Sequence, residues 1–177
     1  MIITVSGLPG SGTTTASELL SEETGMELLS SGEVFRKMAM EKEMSLENFS
    51  ELAEKSEEID KKLDRRMVER AQKGMILEGR LTGHLMERSE KEAYKVWLKA
   101  PLDVRIERIA DREEVEDKKS LKKRVIKREK SEKKRYQKYY DIDLDDILIY
   151  DIIIDSETNS PGRIVRMIIE GARDEIC

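Results

Sequence analysis

One stretch of the chain decides the fold: residues 7–15, Gly7-Leu8-Pro9-Gly10-Ser11-Gly12-Thr13-Thr14-Thr15. It follows the short, β-branched apolar run at residues 2–5, which predicts a buried strand, and it leads into helical periodicity at residues 13–23. Glycines let such a loop approach an anion closely, and the N–H groups at the start of the helix then face that anion. The pattern therefore predicts a phosphate-binding loop, a P-loop.

Two threonines decide what the P-loop is expected to bind. Thr14 stands at the Ser/Thr position whose hydroxyl reaches Mg²⁺ in such loops, and Thr13 stands where the usual pattern has a lysine. That lysine normally faces the β- and γ-phosphates. A charge-assisted hydrogen bond contributes about 1.5–3 kcal/mol, so another group must supply it or activity is lost. The alternative is a turn rich in Gly and Thr by chance, which the flanking strand and helix disfavour.

The rest of the chain alternates strands with helices. Short apolar runs predict four more strands, at residues 26–29, 75–77, 94–98 and 150–154. Helical periodicity covers residues 45–73, 102–112, 118–140 and 162–173. Ser31 is placed to cap a helix after the second strand. These elements predict one α/β domain over residues 1–177, a P-loop core whose five-stranded parallel sheet is flanked by helices.

The composition limits the classes of function. Charged residues make up 40% of the chain and the formal net charge is −5, so there is no overall attraction to nucleic acid or to an anionic membrane. No apolar run approaches the roughly 20 residues that span a bilayer. The only cysteine is Cys177, and no signal peptide is apparent. We expect a cytoplasmic monomer that binds small molecules, and we expect neither membrane nor nucleic acid as a partner.

Further segments, in a fixed order along the chain, carry a resemblance to a known family. They are Gly32-Glu33-Val34-Phe35-Arg36, Leu77-Glu78-Gly79-Arg80, Ala100-Pro101-Leu102-Asp103-Val104-Arg105, Arg128-Glu129, Ser131-Glu132-Lys133-Lys134-Arg135-Tyr136 and Ile149-Tyr150-Asp151. With the P-loop, this set resembles the short archaeal cytidylate kinases, which are P-loop nucleoside monophosphate kinases. The resemblance implies phosphorylation of CMP and dCMP, with ATP as donor and Mg²⁺ as cofactor. It also implies two helical insertions, an acceptor insertion at about residues 31–73 and a lid at about residues 112–140.

The resemblance assigns the residues that bind the acceptor. Ser31, Gly32 and Arg36 are similar to the family's Ser-Gly-x-x-x-Arg element, in which Ser meets the nucleoside and Arg meets its phosphate. The element at residues 78–80, which is Glu78-Gly79-Arg80, is similar to the acidic-Gly-Arg element that grips the acceptor. Bacterial members carry a further acid after this arginine, where the present chain has Leu81. The family's nucleoside-recognition insert is also much shorter or rearranged here.

The resemblance likewise implies the residues of the lid. Arg112, Arg128 and Arg135 resemble its arginines, and we expect Arg112 to bind substrate and Arg80, Arg128 and Arg135 to be catalytic. The positions of the residues support a single site independently of the resemblance, because the P-loop, Ser31 and Glu78 all follow predicted strands. Ligands of open α/β sheets bind outside the carboxyl ends of the strands, so these segments should converge.

The helix predicted within the lid is strongly basic. Arg124, Arg128 and Arg135 are four and seven residues apart, which sets them on one narrow helix face. Guanidinium groups suit phosphate oxygens, so this face is expected to close over ATP, with Arg128 and Arg135 favoured over Arg124. The alternatives are a solvated, salt-bridged face or a helix that binds nucleic acid.

Other side chains give weaker indications. Asp60 and Asp64 lie one helical turn apart, so a carboxylate there, Asp64 above all, would reach the sugar or base of the acceptor. The alternative is a polar surface paired with the basic residues beside them. His84, the only histidine, has no Cys or His nearby, so we expect a loop or surface position and no metal site. Trp97 is expected in the core.

Three other functions remain open from the sequence alone. The nearest is another nucleoside monophosphate kinase, acting on UMP or AMP. A second is a nucleotide-sensing or RNA-binding module without catalysis, which Thr13 and the basic helix favour. A scaffold that binds partner proteins is the third, but it leaves the P-loop and residues 78–80 unexplained.

Overall fold

The computed structural model describes residues 1–174, except the side chains of residues 46, 47 and 174, so Cys177 lies outside the described residues. In this part of the chain there are five strands: β1 Ile2–Gly7, β2 Glu27–Ser30, β3 Met75–Glu78, β4 Ala93–Lys99 and β5 Ile152–Asp155. The same part has eight helices: α1 Thr13–Thr24, α2 Ser31–Glu41, α3 Leu46–Lys55, α4 Glu57–Arg70, α5 Thr82–Arg88, α6 Leu102–Glu113, α7 Lys118–Tyr140 and α8 Pro161–Asp174. Within residues 1–174 no helix is both long and apolar enough to cross a membrane.

The strands form one parallel sheet in the order β2-β3-β1-β4-β5, which confirms the predicted fold class. β1 lies in the middle, where Val5 pairs with Glu78 of β3 and Gly7 pairs with Leu98 of β4. Ser30 at the end of β2 pairs with the same Glu78. Because the strands are parallel, the segments that leave the carboxyl ends of β1, β2 and β3 start side by side.

Helices cover both faces of the sheet, so the strands are apolar on both sides. Ile76 of β3 belongs to the core that α1 and α8 form with the sheet, and Leu20 and Ile168 are fully buried there. The next residue, Leu77, belongs to the opposite core, which α2 to α5 close around Phe49. A third, smaller apolar cluster joins α6 to α7 and so fixes the start of the lid helix.

Most element bounds match the prediction, including the long helix Lys118–Tyr140. The helical region predicted at residues 45–73 consists of two helices that are interrupted at Ser56. The prediction that Ser31 caps α2 is wrong. Ser31 is the first residue of that helix, and the N-cap residue, Ser30, donates its hydroxyl to the carboxylate of Glu78 instead.

Helix α5 has no counterpart in the prediction, and it corrects the placement of His84. That side chain is 7% exposed within α5, so the expected loop or surface position is wrong. Its ring meets the ring of Tyr150 edge-on, with the centroids 5.9 Å apart, and burial lowers its pKa. Gly83 permits this packing, since a Cβ there would lie 2.5 Å from Cε1 of Tyr150. Trp97 is buried in β4 against the same tyrosine, which confirms its place in the core.

Candidate active site

A cavity of about 1190 Å³ opens where the segments after β1, β2 and β3 meet. Its lining includes every predicted site residue except one: Gly7, Leu8, Pro9, Gly10, Gly12, Thr13, Thr14, Thr15, Ser31, Gly32, Arg36, Asp64, Glu78, Gly79, Arg80, Arg112, Arg128 and Arg135. The exception is Ser11, which is 1% exposed and lies behind the loop against Gly7. Arg124 is exposed and does not line the cavity.

The P-loop takes its shape from glycines. Gly10 has a φ of 81°, and a Cβ there would lie 2.6 Å from the carbonyl oxygen of Arg105. At Gly7 the added atom would lie 2.7 Å from the carbonyl oxygen of Leu98. Gly12, with a φ of 90°, is the N-cap of α1. The loop is therefore packed tightly against β4 and α6, and it presents the start of α1 to the cavity.

Thr13, at the position of the usual lysine, is tied to the neighbouring strand. Its hydroxyl donates a hydrogen bond to Oε1 of Glu78 over 2.8 Å. The other oxygen of this carboxylate, Oε2, accepts from the hydroxyl of Ser30 over 2.7 Å. Glu78 thus joins the ends of β2 and β3 to the start of α1. A neutral side chain at position 13 makes this link without adding charge.

Two arginines of α6, to which the sequence assigned no role, hold the P-loop from behind. Arg105 is 5% exposed and donates from Nη1 to the carbonyl oxygen of Pro9 over 3.0 Å and to Glu129 of α7 over 2.5 Å. Arg108 donates to the carbonyl oxygens of Gly10 and of Ser156, in the loop after β5. The segment at residues 100–105 was the signal that could have pointed to Arg105. No pattern singled out Arg108.

The acceptor elements touch each other because Gly79 has no side chain. A Cβ on Gly79 would lie 2.8 Å from Cβ of Ser31, so the segment after β3 packs directly on the start of α2. This contact brings Arg36, one turn into α2, and Arg80 to the same cavity. Two guanidinium groups from separate elements therefore face one space, as the binding of a phosphate requires.

The arginines of the lid lie in ion pairs with protein carboxylates. Arg80 contacts Glu132 of α7, and Nε of Arg128 lies 3.0 Å from the other oxygen of the same carboxylate. Nε of Arg135 lies 3.1 Å from Oδ2 of Asp60. These contacts fasten α7 to the segment after β3 and to α4. Carboxylates hold the guanidinium groups in the cavity, where phosphate oxygens would suit the same donors.

Arg80 has the most perturbed environment among these cations. Burial lowers its pKa to about 10, and the positive charge of Arg128 acts in the same direction. Arg80 is nevertheless protonated at neutral pH. By contrast, Arg112 is 65% exposed and pairs with its sequence neighbour Glu113 over 2.9 Å, so its side chain can reorient at little cost.

Asp60 and Asp64 are buried, which excludes the polar surface considered from the sequence. They are 7% and 9% exposed, and both line the cavity from α4. Burial raises the pKa of Asp60, while Arg135 lowers it. Burial raises the pKa of Asp64 to about 7, opposed by the hydroxyl of Tyr140 and reinforced by the charge of Asp60. Helical spacing found this pair, but only the packing of α7 over α4 buries it.

Known proteins are similar to this chain in sequence over most of its length. Residues 2–158 match the model of the cytidylate kinase-like family. The chain belongs to this family. A cytidylate kinase of Methanosarcina barkeri is 53% identical over 159 residues, which cover 89% of this chain and 88% of that one. A cytidylate kinase of Methanococcus maripaludis is 47% identical over 178 residues, which cover 98% and 99%. The resemblance to short archaeal cytidylate kinases is thereby confirmed.

Solved structures show that this family member has a fold found in other kinases. A shikimate kinase from Aquifex aeolicus superposes with a TM-score of 0.60 at 15% sequence identity, over 99% of this chain and 98% of that one. At this level of identity the likeness concerns the fold alone.

Proposed function

We propose that the protein transfers the γ-phosphoryl group of ATP to CMP and dCMP, giving CDP and dCDP. The observation that carries the proposal is one cavity lined by a P-loop together with Arg36 and Arg80 from two further strand ends. The names of relatives that are 47% and 53% identical over most of the chain support cytidylate as the acceptor. We further propose a cytoplasmic monomer of one domain, in which the acceptor insertion and the lid frame this cavity.

In this proposal the P-loop holds the β- and γ-phosphates of ATP. The N–H groups at the start of α1 favour bound anions, and the glycines let the backbone approach them. The exposed hydroxyl of Thr14 lines the cavity and fits Mg²⁺, which prefers oxygen ligands and, when bound, neutralises charge on the phosphates. Arg112 and Arg128 are solvent-accessible enough to turn toward the phosphates and to supply the charge of the usual lysine.

Arg36 and Arg80 orient the acceptor phosphate for in-line attack, with Ser31 and Gly32 beside the nucleoside and Asp64 farther along the cavity. An oxygen of that phosphate is already ionised, so it attacks the γ-phosphorus without a general base. The new P–O bond forms as the bond to the oxygen between the β- and γ-phosphates breaks, and ADP leaves. Arg112, Arg128 and Arg135 close from the lid and exclude water that would hydrolyse ATP.

The experiment is product analysis by chromatography with ATP, Mg²⁺ and, separately, CMP, dCMP, UMP, AMP and GMP. We expect CDP and dCDP as the favoured products. Arg80→Ala should reduce CDP formation by about 10²–10³-fold, the usual effect of removing one group that stabilises transition-state charge, while ATP binding persists. Arg124→Ala, an exposed arginine outside the cavity, is the matched control. Wild-type turnover by Arg80→Ala would contradict the assignment, and salt-dependent RNA binding without turnover would favour the non-catalytic module.

A further inference from the structure

The end of the cavity at α4 carries a buried carboxyl group with an unused acceptor. Asp64 is 9% exposed, and within residues 1–174 its Oδ2 atom has no hydrogen-bond partner. A buried acceptor without a donor is unfavourable, so such atoms need an explanation. Here Asp64 lines the cavity, where a ligand that donates a hydrogen bond would satisfy Oδ2.

Of the two buried carboxyl groups of α4, Asp60 has a cationic partner and Asp64 is given none among the described residues. Asp60, one turn earlier on α4, is paired with Arg135 of α7. Tyr136 and Tyr140, also on α7, face the pair, and the charge of Arg80 reaches Tyr136 from the segment after β3. The hydroxyl of Tyr140 lies close enough to Asp64 to oppose the rise in its pKa, as a hydrogen bond to the carboxylate does, but among the described residues neither this hydroxyl nor Oδ2 of Asp64 has a partner at full hydrogen-bond geometry. The carboxyl groups of Asp60 and Asp64 thus lie on one face of α4, the first paired with a guanidinium group and the second beside a tyrosine hydroxyl.

The surroundings of the two carboxyl groups suit the base of a nucleotide better than its sugar. Apolar residues of the core that α2 to α5 form around Phe49 also line the cavity: Phe35, Ala53, Leu63, Met67 and Leu85. A nucleobase has apolar faces and a polar edge, whereas a ribose carries hydroxyl groups in several directions. The anionic end of the acceptor is drawn to Arg36 and Arg80 and repelled by the carboxylates, which orients the base toward α4.

We propose that Asp64, together with Asp60, selects cytosine over uracil by accepting hydrogen bonds from the exocyclic amino group of the base. The inference rests on the proposed function, because it names the acceptor base of that same site. The amino group of cytosine has two N–H donors, one for each carboxyl group. Uracil has a carbonyl oxygen at this position, and that oxygen would face the carboxylate oxygens without a donor between them.

The protonation of Asp64 then decides how well the two bases are distinguished. Ionised Asp64 only accepts, as the amino group of cytosine requires, whereas the protonated acid can also donate to the carbonyl oxygen of uracil. Because its pKa lies at about 7, Asp64 ionises between pH 6 and pH 8. The ratio of CMP affinity to UMP affinity should therefore rise by up to about tenfold over this interval. Titration of the phosphate, common to both ligands, cancels in the ratio.

The test is isothermal titration calorimetry of CMP and UMP, without ATP, at pH 6 and pH 8. The wild-type protein should prefer CMP, and more so at pH 8. Asp64→Asn should lower the preference on the order of 10- to 100-fold and remove its pH dependence, because the amide can donate an N–H to uracil. Glu69→Gln, which removes an exposed carboxylate of the same helix, should leave both unchanged.

Binding and turnover separate this inference from the proposed function. If the wild-type protein forms CDP but binds CMP and UMP equally, the role of Asp64 is overturned while the proposed function stands. The same holds if the ratio of the two affinities does not change with pH. An Asp64→Asn variant that keeps the full preference for CMP also overturns that role. Should that variant fail to fold, proton release by the wild-type protein at pH 7 is measured for CMP and for UMP in buffers of different ionisation enthalpy. The phosphate contributes equally to both, so no excess release with CMP overturns the inference.

Discussion

Replacing Glu132 by glutamine tests how the lid is held over the cavity. This carboxylate is 5% exposed and contacts both Arg80 and Arg128. Glutamine keeps the shape and one acceptor oxygen but removes the charge, so Arg80, in a largely buried position, loses its ion-pair partner. Glu113→Gln is the matched control, since Glu113 also pairs with an arginine, Arg112, but both partners are exposed.

The size of the effect follows from the burial of the partners. Removing one member of a buried ion pair costs about 3–5 kcal/mol. Arg80 is 17% exposed and Arg128 is 66% exposed, so solvent screens part of this and we expect about 2–3 kcal/mol. For a chain of this length each ~1 kcal/mol lowers Tm by about 2–4 °C. Glu132→Gln should thus lower Tm by about 4–12 °C, whereas the exposed control should change stability by less than about 0.5 kcal/mol.

The assay is thermal unfolding at neutral pH, first without nucleotides and then with saturating ATP and CMP. Phosphate oxygens can take the place of the missing carboxylate at Arg80, so the difference from wild type should shrink when the nucleotides are present. A Glu132→Gln protein that melts within about 1 °C of wild type without nucleotides would refute the view that this carboxylate holds the lid.

Three further predictions concern single side chains. The pKa of Asp64 in the folded protein, about 7, lies above the unfolded value of about 3.9, so its contribution to stability falls as the pH rises from 4 to 7. Asp64→Asn should remove this loss. Relative to wild type, the unfolding free energy of the variant should therefore be higher at pH 8 than at pH 4 by up to roughly 4 kcal/mol. Gly10→Ala should destabilise by about 1–3 kcal/mol more than Gly12→Ala in denaturant unfolding, because both have positive φ but only the former meets a backbone oxygen; equal losses would contradict the tight fit of the loop. Thr13→Val should lower stability by about 1 kcal/mol and slow CDP formation, since Glu78 loses a donor; unchanged melting and turnover would show that this link is dispensable.

Much of the fold followed from periodicity in the sequence. Five apolar runs predicted the five strands: the inner strands β1, β3 and β4 are largely buried, and the less buried edge strands β2 and β5 are still mostly apolar between polar helices. The helix α5 was missed for a physical reason. It has only seven residues, and it is held by burial of its middle rather than by an amphipathic pattern, with His84 and Leu85 both inside.

The candidate site was predictable where a backbone pattern marks it. The P-loop and Glu78-Gly79-Arg80 stand at strand ends, so local sequence was enough to bring them to one edge. The contacts of α7 were not predictable in this way, because its basic residues read alike along the chain. The resemblance favoured Arg135 over Arg124, but only the tertiary structure shows that Arg135 is paired with a buried aspartate and that Arg124 is exposed.

Arg105 has a consequence for how two nucleotides would bind together. Its Nη1 atom donates hydrogen bonds to the carbonyl oxygen of Pro9 in the P-loop and to the carboxylate of Glu129 in α7, so one guanidinium group connects the loop to the lid helix. A lid movement that draws Glu129 away changes the anchorage of the loop, and a nucleotide that shifts the loop changes the anchorage of the lid. Such coupling is reciprocal in free energy. ATP and CMP should therefore be coupled in binding, each altering the affinity for the other by the same factor.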